Sequence, residues 1–213
     1  MKKLLAALIV AASFVPTNVS ARQYVVSEIK SKNFNIKYKY NKDGTVSSLI
    51  RDAGWKSKTK FYYSKGYVSC KKDPNGKTVY TYKKGRITKS KSKKENDVYA
   101  YGKNKLLIKS VSKGGFSGEE FLKFKKGRLV ERNGTKFAYD KKGFLKKAGN
   151  TKYVNTYKKG RLTKVKETVY LYGTNTETYK VSYKTVSRLS KEAKKQQNAI
   201  LGKSYLVYLG RFK

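Results

Sequence analysis

Tyr80-Thr81-Tyr82-Lys83-Lys84-Gly85-Arg86-Ile87 decides the fold of this chain. Two aromatics at i and i+2 lie on one face of a strand. A short polar Lys-Lys segment then turns the chain, and glycine takes the positive-φ position of a tight hairpin loop. Ile87, two residues on, begins the return strand. The phrase recurs as Phe124-Lys-Lys-Gly127-Arg128-Leu129, Phe137-Ala-Tyr139-Asp140-Lys-Lys-Gly143-Phe144-Leu145 and Tyr157-Lys-Lys-Gly160-Arg161-Leu162. Looser copies are Tyr38-Lys-Tyr40-Asn-Lys-Asp-Gly44-Thr-Val46 and Phe61-Tyr-Tyr63-Ser-Lys-Gly66-Tyr-Val68. The glycines are spaced 22, 19, 42, 16 and 17 residues apart, and the long gap holds a degenerate unit around Tyr99-Ala-Tyr101-Gly102. Tyr170-Leu-Tyr172-Gly173 reads as a second degenerate unit. Asp73-Pro74-Asn75-Gly76, Asn133-Gly134 and Gly149-Asn150 are turn signals for the far ends of the hairpins. Strand and turn alternate about every 8 to 10 residues. The expected fold is all-β, a meandering antiparallel sheet of repeated hairpins, a single layer or curled.

One face of the strand segments tends to collect Tyr, Phe, Leu and Val and the other Lys, Thr, Ser and Asn, with imperfect alternation in Phe121-Leu-Lys-Phe124 and Tyr153-Val-Asn-Thr-Tyr157. An antiparallel sheet with one solvated face gives this pattern, and lysine on strands blunts edge pairing. The period changes at Ser190-Lys-Glu192-Ala193-Lys-Lys-Gln196-Gln197-Asn-Ala199-Ile200-Leu201-Gly202. This predicts one short helix, with Ser190 as N-cap, Glu192 in the first turn and Gly202 at the stop. Ala193, Gln197, Ile200 and Leu201 share its sheet-facing side. A last strand, Tyr205-Leu-Val-Tyr208-Leu209, is expected after it.

The chain has 213 residues, 52 Lys+Arg against 13 Asp+Glu, no His and one Cys, a formal net charge of +39. Without His, and with a single Cys, there is no Ser-His-Asp triad, Cys-His dyad, His-ligated metal or intramolecular disulfide. An aromatic fraction of 14% argues against a disordered polycation. Met1-Lys2-Lys3, an apolar run from Leu4 to Val15 and small residues at Val19 and Ala21 predict a cleaved secretory signal over 1–21. The apolar run is too short to span a bilayer. The mature form would keep 50 − 13 = +37, arranged as a hairpin-repeat domain over 22–189 and a helix with final strand over 190–213. No membrane span is expected in it. Cys70 reads as a small strand hydrophobe.

The phrase at 137–145 resembles the YD repeat of RHS-type proteins, whose units read Tyr-x-Tyr-Asp-x-x-Gly-Arg-Leu. The Gly-Arg-Ile/Leu steps at 85–87, 127–129 and 160–162 match its second half. Only the copy at 137–145 carries Tyr-Asp itself, with Phe144 in the arginine place. The resemblance covers about residues 34–173 and implies an extracellular β-hairpin repeat scaffold, similar to small secreted repeat proteins of bacteria. Large RHS proteins wrap such hairpins into a shell around a toxin. About eight units are too few for that, even in an architecture that grows by stacking.

The close acid pairs are Glu95 with Asp97 and Glu119 with Glu120, all in polar segments. Only Glu119 and Glu120 suggest a polymer-degrading enzyme, and no phosphate-binding loop, dinucleotide turn or Ca²⁺ loop is present. No cofactor or metal is expected. Binding fits the charge better: a surface at +37 concentrates polyanions in a salt-sensitive way. The expectation is a secreted, non-enzymatic repeat protein, extracellular or at the cell wall. It would hold an anionic polymer such as teichoic acid or a glycan by multivalent Lys/Arg contacts. Arg86, Arg128 and Arg161 occupy equivalent hairpin positions and are the candidate contacts. Nucleic acid is not expected as a dedicated ligand. The alternatives are a cell-envelope polymer-degrading enzyme and a membrane-active cationic toxin.

Overall fold

A computed structural model describes residues 22–115 and 117–204. The expected signal at 1–21 and the expected strand at Tyr205–Leu209 lie outside the described residues. The described residues form sixteen strands: β1 (Gln23–Lys30), β2 (Asn35–Tyr40), β3 (Val46–Asp52), β4 (Lys56–Ser64), β5 (Tyr67–Asp73), β6 (Gly76–Lys83), β7 (Arg86–Lys91), β8 (Glu95–Gly102), β9 (Lys105–Ser112), β10 (Ser117–Lys125), β11 (Arg128–Arg132), β12 (Thr135–Tyr139), β13 (Leu145–Ala148), β14 (Thr151–Lys158), β15 (Arg161–Tyr170) and β16 (Thr174–Val186). Helix α1 (Lys191–Ile200) follows. Every sequential pair of strands is an antiparallel hairpin.

The sheet does not stay open. β16 returns to β1, with Gln23 opposite Val186 and Lys30 opposite Lys180, and the sixteen strands close into a barrel. The cause is in the repeats. The ladder slips by one residue at the aromatic just before the turn in six units: Tyr40, Tyr63, Tyr82, Phe124, Tyr139 and Tyr157. A bulge adds local twist and bends its strand. Six of them on the same rim curl the sheet until its edges meet. Where the extra residue is Ser69, Thr88 or Thr163, its hydroxyl donates to the carbonyl of Tyr62, Thr81 or Thr156 across the hairpin.

The apolar residue just after each repeat turn points inward. Val46, Val68, Ile87, Leu106, Leu129, Phe144 and Leu162 are all buried in one continuous core with Phe61, Tyr80 and Tyr99. The second tyrosine of a unit ties it to the strand before it. Tyr40 donates to the Val26 carbonyl, Tyr63 to Val46, Tyr82 to Val68 and Tyr139 to Leu129. Lysines take the outward positions, as Lys56, Lys58 and Lys60 do on β4. Cys70 is a free, buried strand residue opposite Tyr62 and Val79.

α1 lies across one end of the barrel. Ser190 caps it, its Oγ accepting from Ala193 N at 3.1 Å, and Glu192 stands in the first turn. The chain enters over the β2–β3 hairpin, where Ser190 N donates to the Asp43 carbonyl at 2.9 Å. Gly44 lies so close beneath that a Cβ there would stand 2.9 Å from the Arg188 carbonyl. Ile200 reaches the core, and just past the helix Lys203 lies 4.1 Å over the Phe144 ring on the β12–β13 side. The buried face also includes Gln196 and Gln197. Their Oε1 atoms accept from Val46 N at 2.8 Å and Val26 N at 2.9 Å. Both amides sit at ladder irregularities, where a backbone donor needs another partner. Among the described residues no helix is long and apolar enough to cross a membrane.

Candidate functional site

The helix-bearing rim is built from seven hairpin turns, and every one carries lysine: Lys42, Lys65, Lys84, Lys103, Lys126, Lys141 with Lys142, and Lys159. All eight are exposed. Among the described residues none of them is in an ion pair. Four occupy the first position of a Lys-Gly turn with φ positive at both residues: Lys65 at 51°, Lys84 at 49°, Lys126 at 49° and Lys159 at 48°. That turn favours Asn-Gly, because a long side chain pays steric strain in the left-handed region. One turn of the opposite rim, β11–β12, is Asn133-Gly134, with φ 45° and 80°. Lysine is thus retained four times where it is conformationally expensive.

The acids of this rim face inward. Asp43 Oδ1 accepts from the amide and hydroxyl of Thr45. Burial acts to raise its carboxyl, but bonds from Thr45 and Ser190 outweigh it and hold the group below its ordinary value. Asp140 Oδ1 accepts from Lys142 N and Phe144 N, and its Oδ2 from Asn155 and the Tyr157 hydroxyl. Burial opposes ionisation there too, and these bonds again win. Glu192 is buried on α1. The rim therefore presents ammonium groups outward and keeps its carboxylates as turn scaffolding.

Arg86, Arg128 and Arg161 open β7, β11 and β15 on this same rim. They do not form a contiguous row. Four strands separate each from the next, about 19 Å at ordinary strand spacing. Each guanidinium lies over a tyrosine ring: Arg86 over Tyr101 at 5.3 Å, Arg128 over Tyr139 at 5.7 Å and Arg161 over Tyr24 at 3.7 Å. The first two bridge successive repeats and the third bridges the seam, a contact of cation–π type. Arg86 and Arg128 are exposed, Arg161 half-buried.

Lysines also align along the outer wall. Lys60 stands opposite Lys72, which stands opposite Lys77. Lys164, Lys180 and Lys30 form a second line of three, across the seam. Neighbouring strands are about 4.8 Å apart, and like charges directly opposite are destabilising.

The structure does not join the acids expected for an enzyme. Glu119 and Glu120 are consecutive on β10 and point to opposite faces. Glu119 pairs with Lys109 at 2.9 Å and Glu120 with Arg132. Asp97 turns to Ser90 and Tyr99, while Glu95 is exposed at the far rim. The carboxylates that do meet are Glu167 and Glu177, direct partners across β15 and β16. Tyr179 Oη lies 2.8 Å from each. The Ser31 hydroxyl, against burial and with help from Tyr179, holds Glu177 below its usual range. Both line a cavity of about 720 Å³ inside the barrel, walled by Phe34, Phe137, Phe144 and Ile200. Reading 170–173 as another repeat hid this pair. It is a far-rim turn, and folding the strands about it brings 167 opposite 177. Among the described residues no group of three or more His, Cys, Asp or Glu converges as metal ligands would. No protein-family model matches this chain, and no curated protein matches it.

Proposed function

We propose that this protein is a secreted cationic barrel scaffold that holds an anionic cell-envelope or extracellular polymer. Its contacts are the lysine turns of the helix-bearing rim and the lysine lines of the wall. The observation that carries the reading is the Lys-Gly turn, used four times at a positive φ that asparagine would fill with less strain. A fold that keeps a strained, exposed, unpaired cation at equivalent positions gains nothing from it in stability. Charge at the rim is the remaining use. Spread contacts on a repetitive frame suit a polymer with repeating phosphate, sulfate or carboxylate groups, since avidity accumulates over weak sites. The likeness of the 137–145 phrase to YD repeats supports an extracellular repeat scaffold. Arg86 and Arg128 would add exposed guanidinium edges, already oriented by their tyrosines.

The test is a variant carrying Lys65→Asn, Lys84→Asn, Lys126→Asn and Lys159→Asn. Sedimentation with teichoic-acid-bearing cell walls is followed across a salt series. The variant is expected to melt higher, by about 0.5 kcal/mol of stability per site. It is also expected to bind more weakly, with a flatter dependence of log K on log salt. Unchanged binding, or salt-resistant binding by the parent protein, would sink the proposal.

A further inference from the structure

We propose that the opposite rim docks on an anionic lipid surface, with Trp55 and the Tyr170-Leu171-Tyr172 tip as its apolar anchors. This goes beyond the polymer reading and uses a different end of the barrel. The β15–β16 tip projects Tyr170, Leu171 and Tyr172, respectively 46%, 56% and fully exposed. On the β3–β4 tip Trp55 is 64% exposed. Aromatic side chains carry a large apolar area, and Trp55, Leu171 and Tyr172 leave more than half of their surface exposed. Tyr172 is also held at φ 49°, ahead of Gly173, a genuine outlier for a bulky residue. The fold thus accepts strain at this turn to present a ring to solvent.

The geometry selects the partner. The two tips belong to one rim but stand four strands apart, about 19 Å by ordinary strand spacing. That is too far for one small ligand and suits an extended, deformable phase. The tips project rather than enclose, so they enter a partner instead of receiving one. The charge is complementary to acidic headgroups. The eight connections of this rim carry Lys32, Lys93, Lys94 and Lys113 and no carboxylate. Asp52, Asp73 and Glu95 stand at the adjoining strand ends, accompanied there by Lys30, Lys56 and Lys91. Lys152 Nζ lies 5.2 Å over the Tyr170 ring, placing an ammonium beside the apolar tip. Aromatic rings with lysine beside them are the composition of a protein surface seated at the headgroup level. The contact is interfacial, without a span.

Trp55 is the single tryptophan of the chain, so its emission reports on this rim alone. The purified protein is titrated with vesicles of phosphatidylcholine, with and without phosphatidylglycerol. Expected on the anionic vesicles are a blue shift of emission and protection from acrylamide quenching. Leu171→Ser with Tyr172→Gly should weaken partitioning by about tenfold or more, from the apolar surface removed. Glycine suits the φ at 172, so the variant should melt no lower than the Leu171→Ser single variant, which separates lost docking from lost folding. Its binding to cell-wall polymer should be unchanged, which keeps failure here distinct from failure of the polymer reading. Vesicle binding without a tryptophan shift would assign the contact to the lysine wall and overturn the proposal. So would unaltered partitioning of the double variant, or no binding to either vesicle.

Discussion

At the scale of single residues, Asp140 shows how the rim obtains its shape. One carboxylate gathers two backbone amides, the Asn155 amide and the Tyr157 hydroxyl. Its folded pKa lies below the ordinary value because these donors stabilise the ionised form against burial. The linkage sign follows: a depressed carboxylate contributes stability that is fully present above its unfolded pKa, about 3.9, and lost as pH falls through the folded value. Asp140→Asn is therefore expected to cost about 1–2 kcal/mol near neutral pH. The deficit relative to the parent should shrink in acid, as denaturant melts across pH would show. A constant deficit would mean that shape rather than charge holds the turn. The aspartate was legible as part of a repeat phrase. Its partners were not, because Asn155 and Tyr157 belong to the next hairpin.

At the scale of elements, α1 and the repeat tyrosines act as one joint. Gln196, fully buried, accepts from Val46 N and donates to the Tyr63 hydroxyl at 3.0 Å, while Tyr63 donates to the Val46 carbonyl. Burial pushes the Tyr63 phenol up to about 12. Gln196→Leu keeps the bulk but strands a buried amide, so about 2–3 kcal/mol should be lost. Hydrogen exchange at Val46 N and over α1 should rise, while the strands far from the helix keep their protection. Exchange rising evenly through the sheet would show that the helix is not a separate joint. The helix, its Ser190 cap and most of its inward face were readable from the 3.6 period. The period puts Gln197 on that face and not Gln196, and the bonds of neither were readable, because their partners Val26 N and Val46 N lie far away in the sequence. The bulges that create the need for them leave only a hydroxyl residue three places after glycine as a trace.

At the scale of the whole molecule, charge opposes the fold. The mature chain would carry 50 − 13 = +37, and the wall sets lysines directly opposite one another in two lines of three. Screening should relieve this. The melting temperature is expected to rise as ionic strength increases from about 0.01 M to 0.15 M, where the Debye length falls from about 30 to about 8 Å. Calorimetry in a non-coordinating salt measures it. A flat response would mean that the lines are already neutralised by geometry. The all-β meander was legible, since each hairpin announces itself locally. Closure was not, because the pairing of β1 with β16 joins segments with no common phrase.

That seam has a consequence for the order of events in folding. Each hairpin closes only a short stretch of chain and can form as soon as its own residues are present. The junction of Gln23 with Val186 closes nearly the whole described chain at once, and loop-closure entropy makes such a contact the slowest to form. Until the last strand arrives, every intermediate is a curved ribbon with two raw edges. In this period like-charged lysine rows would hold one unfinished ribbon away from the next.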